Sequence, residues 1–87
     1  MDVFIYFSPR LTIPRDEIED ALQEHLGNRG EITGGGSGQR GANIDIEIFD
    51  DESGPELLQG VERTLRRMGV PQDTYLDVDG QRQDLYK

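Results

Sequence analysis

The chain contains no cysteine. Neither a disulfide framework nor a thiolate metal site can form, and a reducing compartment is the natural expectation. It has one lysine, Lys87, and one histidine, His25. A zinc site, a Ser-His triad and a phosphate loop ending in Gly-Lys-Ser/Thr therefore all lack parts. Long apolar runs are missing too. The N-terminal run spans only Val3 to Phe7, with an acid at the second position and no small-residue cleavage site after it. This stretch reads as neither a signal peptide nor a membrane span, so the protein is expected to be cytoplasmic.

The 87 residues are 33% hydrophobic and include 11 glycines. A chain of this size supports one domain, residues 1–87, around one small core, with few apolar residues to spare for a deep pocket. The formal net charge is -9, from 18 acids against 9 bases. Such a field repels phosphate backbones and anionic membranes and attracts basic proteins. The expectation is no nucleic acid, no membrane and a basic protein partner.

Residues 3 to 7, rich in β-branched and aromatic side chains and stopped by Ser8-Pro9, predict a first strand. With Val3, Ile5 and Phe7 inward, Asp2, Phe4 and Tyr6 share the other face. Residues 14 to 26 predict a helix, with Ile18, Ala21, Leu22, His25 and Leu26 at helical spacing and Pro14 and three acids at its start. Glu31-Ile32-Thr33 begins a short second strand leading into the glycine run 34–41. From Asn43 to Phe49 the pattern alternates, with Ile44, Ile46 and Ile48 against Asn43, Asp45 and Glu47, which is a strand with one buried and one wet face.

Ser53-Gly54-Pro55-Glu56 has the form of a capping box before the stripe Leu57, Leu58, Val61, Leu65, Met68 of a second helix ending at Gly69. Thr74 to Val78 form another strand. Asp79-Gly80 signals a hairpin, so Gln81 to Tyr86 fold back as an edge strand. The order is that of a ferredoxin-like βαββαβ two-layer α+β sandwich. Its antiparallel sheet has the first and third strands central, both helices on one face, and an extra C-terminal hairpin strand.

The motifs point away from catalysis. Gly36 to Gly41 spell a literal G-x-G-x-x-G, but a strand follows where a dinucleotide loop needs a helix. Ser37-Gly38-Gln39 departs from the Gly-Gly-Gln motif of release factors at its first residue. The run is expected to be a long, mobile hairpin tip. Asp77-Val78-Asp79-Gly80 has its Gly at the wrong place for a calcium loop and suits a turn. His25 reads as helix-flank packing with a solvated tip. Neither a catalytic residue nor a metal or cofactor site is expected.

The open sheet face is the best candidate. It should bring Phe4, Tyr6 and Tyr75 beside Asp45, Glu47 and Asp77, with Gln39 and Arg40 at the rim. Aromatics here resemble the base-stacking platform of RNA-recognition domains, but the acids replace the positive field that nucleic acid needs and suit a positively charged protein surface. A homodimer interface, or partial cover by the C-terminal hairpin, fits the same face equally well.

In size, charge and layout, through "VFIYFSP", "GEITGGGSG" and "NIDIEIFDDE", the chain resembles the small acidic immunity proteins of bacterial polymorphic and contact-dependent toxin systems. That resemblance implies a cognate toxin, often a basic nuclease, blocked by acidic side chains, and it transfers no catalytic residue. The alternatives are a self-associating accessory or regulatory module, or a small nucleotide- or metal-dependent enzyme centred on residues 34–41.

Overall fold

The computed structural model describes residues 1–86. Its elements run β1 (Asp2–Phe7), α1 (Arg15–Leu26), β2 (Gly30–Gly38), β3 (Gly41–Ile48), α2 (Gly54–Met68), β4 (Tyr75–Val78) and β5 (Gln81–Asp84). The sheet order is β2-β3-β1-β4-β5. All neighbours are antiparallel. The chain is thus an α+β, ferredoxin-like two-layer sandwich, extended by one strand beyond β4.

Alternation decides the two faces. Val3, Ile5, Ile44, Ile46, Ile48 and Leu76 are buried toward the helices. They meet Ile18, Leu22 and Leu26 of α1 and Leu57, Val61 and Leu65 of α2 in one contiguous core. At about 1.5–3 kcal/mol per fully buried aliphatic side chain, this layer dominates the favourable side of folding.

α1 starts after Pro14, whose fixed φ suits a helix entrance, and ends at Gly27, whose φ of 59° is left-handed. α2 ends at Gly69, also left-handed, whose N–H donates to the carbonyls of Leu65 and Arg66. The capping box does not form. Ser53 is the N-cap residue, yet it makes no side-chain bond to the helix. Its Oγ instead donates to Asp50 Oδ2 at 2.8 Å, while Glu52 N donates to Asp50 Oδ1 at 2.9 Å. A nearby carboxylate is the stronger acceptor and captures the hydroxyl. Those bonds, the Ser53 hydroxyl first, hold the Asp50 carboxyl below its ordinary value.

His25 is also placed differently from the expectation. Its Nε2–H donates to the Leu57 carbonyl at 3.0 Å, so the ring tip is bonded across to α2. The ring lies so close over Gly60 that a Cβ there would overlap Cε1 and Nε2. Glycine at 60 therefore makes room for the imidazole between the helices.

The largest departure is in the glycine run. Gly34 to Gly38 belong to β2 and pair with Asp45 to Gly41 of β3, after a bulge between Ile32 and Gly34. Only Gln39 and Arg40 form the turn. What composition suggests as a mobile tip is strand, because β3 offers a full-length ladder that offsets the weak strand preference of glycine. β3 itself stops at Ile48, and Phe49 lies outside it, 54% exposed.

Candidate functional site

Neither helix covers the second face of the sheet, and the strand registers define its rows. Gly36, Asn43, Tyr6, Tyr75 and Asp84 lie across one row. Gly34, Asp45, Phe4, Asp77 and Arg82 make the next. Glu31, Glu47 and Asp2 make a third. The six face residues expected from sequence, Phe4, Tyr6, Asp45, Glu47, Tyr75 and Asp77, thus share one surface. Gln39 and Arg40 sit at its corner, on the β2–β3 turn.

Sequence reasoning left Asp2, Glu31, Asn43, Asp84 and Arg82 out of the site. The first three were legible by alternation, since Asp2 shares parity with Phe4, Asn43 with Asp45, and Glu31 opposes Glu47. Arg82 and Asp84 needed the turn to be fixed. Asp79 (φ 50°) and Gly80 (φ 89°) form a two-residue left-handed turn, which sets Val78 against Gln81 and hence Asp77 against Arg82.

The chemistry is aromatic at one end and anionic at the other. The Tyr6 and Tyr75 rings stack with centroids 5.0 Å apart at 24°. The Arg82 guanidinium stands 3.9 Å from the Tyr75 centroid, while its Nε is 3.2 Å from Asp84 Oδ1. The face therefore already accommodates a guanidinium between an aromatic ring and a carboxylate. Partial burial first, then the charge of Asp77, the neighbouring Tyr75 and the charge of Asp45, push the Tyr6 phenol above its ordinary value. Phe4, 37% exposed, lies between Asp45 and Asp77.

Several carboxylates have local duties. Asp77 Oδ1 accepts from Gly80 N at 2.8 Å, and Asp79 Oδ1 accepts from Asp2 N at 2.9 Å, tying the β4–β5 turn to the start of β1. The Asp77–Gly80 segment is therefore a turn held by its own acids. Asp45 Oδ1 accepts from Asn43 Nδ2 at 3.0 Å. Among the described residues, no group of three or more His, Asp or Glu side chains is arranged to hold a metal ion.

At the aromatic end, Tyr6, Tyr75, Asn43, Gly36, Pro9, Asp73 and Arg40 line a concave recess of about 680 Å³. Its walls carry both signs of charge and the edges of the stacked rings. The G-x-G-x-x-G segment forms one wall as paired strand, with Gly36, Ser37 and Gly38 laddered to Asn43, Ala42 and Gly41. It opens no helix, so the donor cluster of a dinucleotide loop is not formed.

Compared with known proteins, the chain matches no family model, no curated protein and no solved structure. No helix among the described residues is long and apolar enough to cross a membrane.

Proposed function

We propose that the protein is a non-enzymatic binding module that captures a basic protein on its open sheet face, in the manner of a toxin-neutralising immunity protein acting in the cytoplasm. The observation that carries this reading is the register. It sets Asp2, Glu31, Asp45, Glu47, Asp77 and Asp84 around Phe4, Tyr6 and Tyr75, with Arg82 the one base among these face residues.

Aromatic rings flanked by charges suit a protein interface, where buried rings supply most of the binding energy and charges supply steering and selectivity. The Arg82–Tyr75 contact is an internal example of the contact a partner's arginine would make. Pairing of two copies face to face is disfavoured, since it would bring these carboxylates against each other.

The test is co-expression with the protein encoded by the adjacent reading frame, followed by copurification and kinetics on the purified pair. A basic, toxic neighbour should copurify, and its association rate should fall steeply with salt. Asp45→Lys combined with Glu47→Lys should weaken binding by at least tenfold. Unchanged binding in that double variant would sink the assignment of the face. The enzyme alternative predicts heat on titration with nucleotides or divalent metals, and the self-associating alternative predicts a stable dimer by light scattering.

A further inference from the structure

The sheet ends in two open edges. An edge strand leaves half its backbone N–H and C=O groups unpaired, and proteins normally blunt such edges by shortness, charge, proline or cover. β5 is blunted twice, being four residues long and bearing Arg82 and Asp84. β2 is the opposite case. It runs nine residues on the outside of the sheet. From Gly34 to Gly38 it carries no charge, no proline and only one side chain, the hydroxymethyl of Ser37. Its first residues are covered, because Gln23 of α1 accepts from the Ile32 N–H at 3.1 Å and donates to the Gly30 carbonyl at 3.1 Å; a bulge follows Ile32, so the bare stretch is Gly34 to Gly38.

The bare backbone changes what the neighbouring strand presents. A Cβ at Gly34 would lie 3.2 Å from Asp45 Oδ2, and one at Gly36 would lie 3.4 Å from Asn43 Oδ1. These two β3 side chains, bonded to each other, therefore lean over the glycines toward the edge. Glu31 stands on β2 itself, opposite Glu47. From Gly34 to Gly38 the rim thus combines a bare backbone edge with a carboxylate on its open-face side and no large side chain between them.

We propose that β2 receives an extended basic segment of the partner as an added strand. Its backbone pairs along residues 34 to 38, and its Lys or Arg side chains on the open-face side reach Asp45 and, past the bulge, Glu31. This rests on the basic-partner reading and specifies how that partner docks. Main-chain pairing supplies affinity, and the alternate side chains supply selectivity. The occupant is a basic segment because the rim is acidic, whereas a second copy would bring another net charge of -9.

The probe is a blocked ten-residue peptide alternating lysine and threonine, with a control in which proline replaces each threonine so that charge is kept and strand pairing is lost. Amide hydrogen exchange by NMR and titration calorimetry provide the readouts. Successive strand residues point their N–H groups to opposite sides, so of Gly36→Pro and Ser37→Pro one removes an outward donor and leaves the ladder to β3 intact. Circular dichroism identifies the folded variant.

Expected results are exchange at β2 amides slowed at least tenfold by the lysine-threonine peptide, binding at least tenfold weaker to the folded proline variant and to Asp45→Lys, and weak binding of the proline control. If neither proline variant folds, the exchange pattern decides. Equal binding of both peptides, with resonance shifts at Phe4, Tyr6 and Tyr75 and unchanged β2 exchange, overturns strand addition and leaves the basic-partner reading standing. No binding of either peptide overturns both. A concentration-dependent dimer that protects β2 without peptide assigns the edge to a second copy and overturns the proposal.

Discussion

The β2–β3 hairpin pairs nine residues with eight and turns through Gln39-Arg40, while the β4–β5 hairpin pairs four with four and turns through Asp79-Gly80. In the short hairpin each position is specified by a side chain. Asp79 and Gly80 take left-handed φ, Asp77 caps the turn, Asp79 anchors it to β1, and Arg82 bridges Tyr75 and Asp84. In the long one, specification falls on β3, and from Gly34 to Gly38 β2 is held mainly through its backbone. A sheet can thus carry one edge defined by side chains and one that is nearly bare main chain. The first resists further pairing, and the second invites it.

The sharpest way to break the contrast is at the turns. Gly41 has φ 123°, and a Cβ there would overlap the Phe7 carbonyl oxygen. Gly80 has φ 89° with open space around it. Gly41→Ala is expected to cost about 3 kcal/mol or more, or to prevent folding, since strain and overlap add. Gly80→Ala should cost about 1 kcal/mol from strain alone. Urea denaturation of both variants reads the difference, and equal losses would show that the Phe7 contact is not what demands glycine at 41.

Smaller effects sharpen the contrast within the strands. Arg82→Ala removes the cation from Tyr75 and should destabilise by about 0.5–1 kcal/mol, in line with an exposed cation–π contact. Gly38→Thr should act in the opposite direction. Its φ is not left-handed and a Cβ would meet nothing within 4 Å. A β-branched residue there should stabilise by about 0.5–1 kcal/mol through strand preference and a less flexible unfolded chain. A gain at 38 beside a loss at 41 would show that the glycine run is not uniformly required by the fold.

The smallest expected effect is electrostatic. The Tyr6 phenol titrates above its ordinary value, so the folded state favours the protonated ring. Its contribution is fully present below the unfolded value and is lost as pH rises through the folded one. Asp77→Asn removes the largest charge contribution and should lower the Tyr6 midpoint toward the ordinary phenol, as read by ultraviolet absorbance titration. An unmoved midpoint would show that the Asp77 charge is not among the causes.

Much of the fold was legible because periodicity and breakers agree. Ile44, Ile46 and Ile48 alternate, the α2 stripe repeats at helical spacing, and Asp79-Gly80 marks a turn. The face residues followed from the same parity. What escaped depends on neighbours distant in the chain. Glycine is poor in strands by its own preference, and only the ladder to β3 reveals Gly34 to Gly38 as strand. Ser53 has the spacing of a cap, but the Asp50 carboxylate three residues earlier takes its hydroxyl. No helical wheel of α1 shows that the space His25 needs is opened by a missing side chain on α2.

That interhelical contact has a consequence for how the protein can change over time. Because the His25 ring occupies the volume a side chain at position 60 would need, the two sites cannot drift independently. A larger residue at 60 requires a smaller one at 25, and the bond to the Leu57 carbonyl is then lost as well. In descendants of this sequence, positions 25 and 60 should therefore vary as a pair. Such paired variation, across 34 intervening residues, would mark a chain with this helix packing even where the remaining surface has diverged.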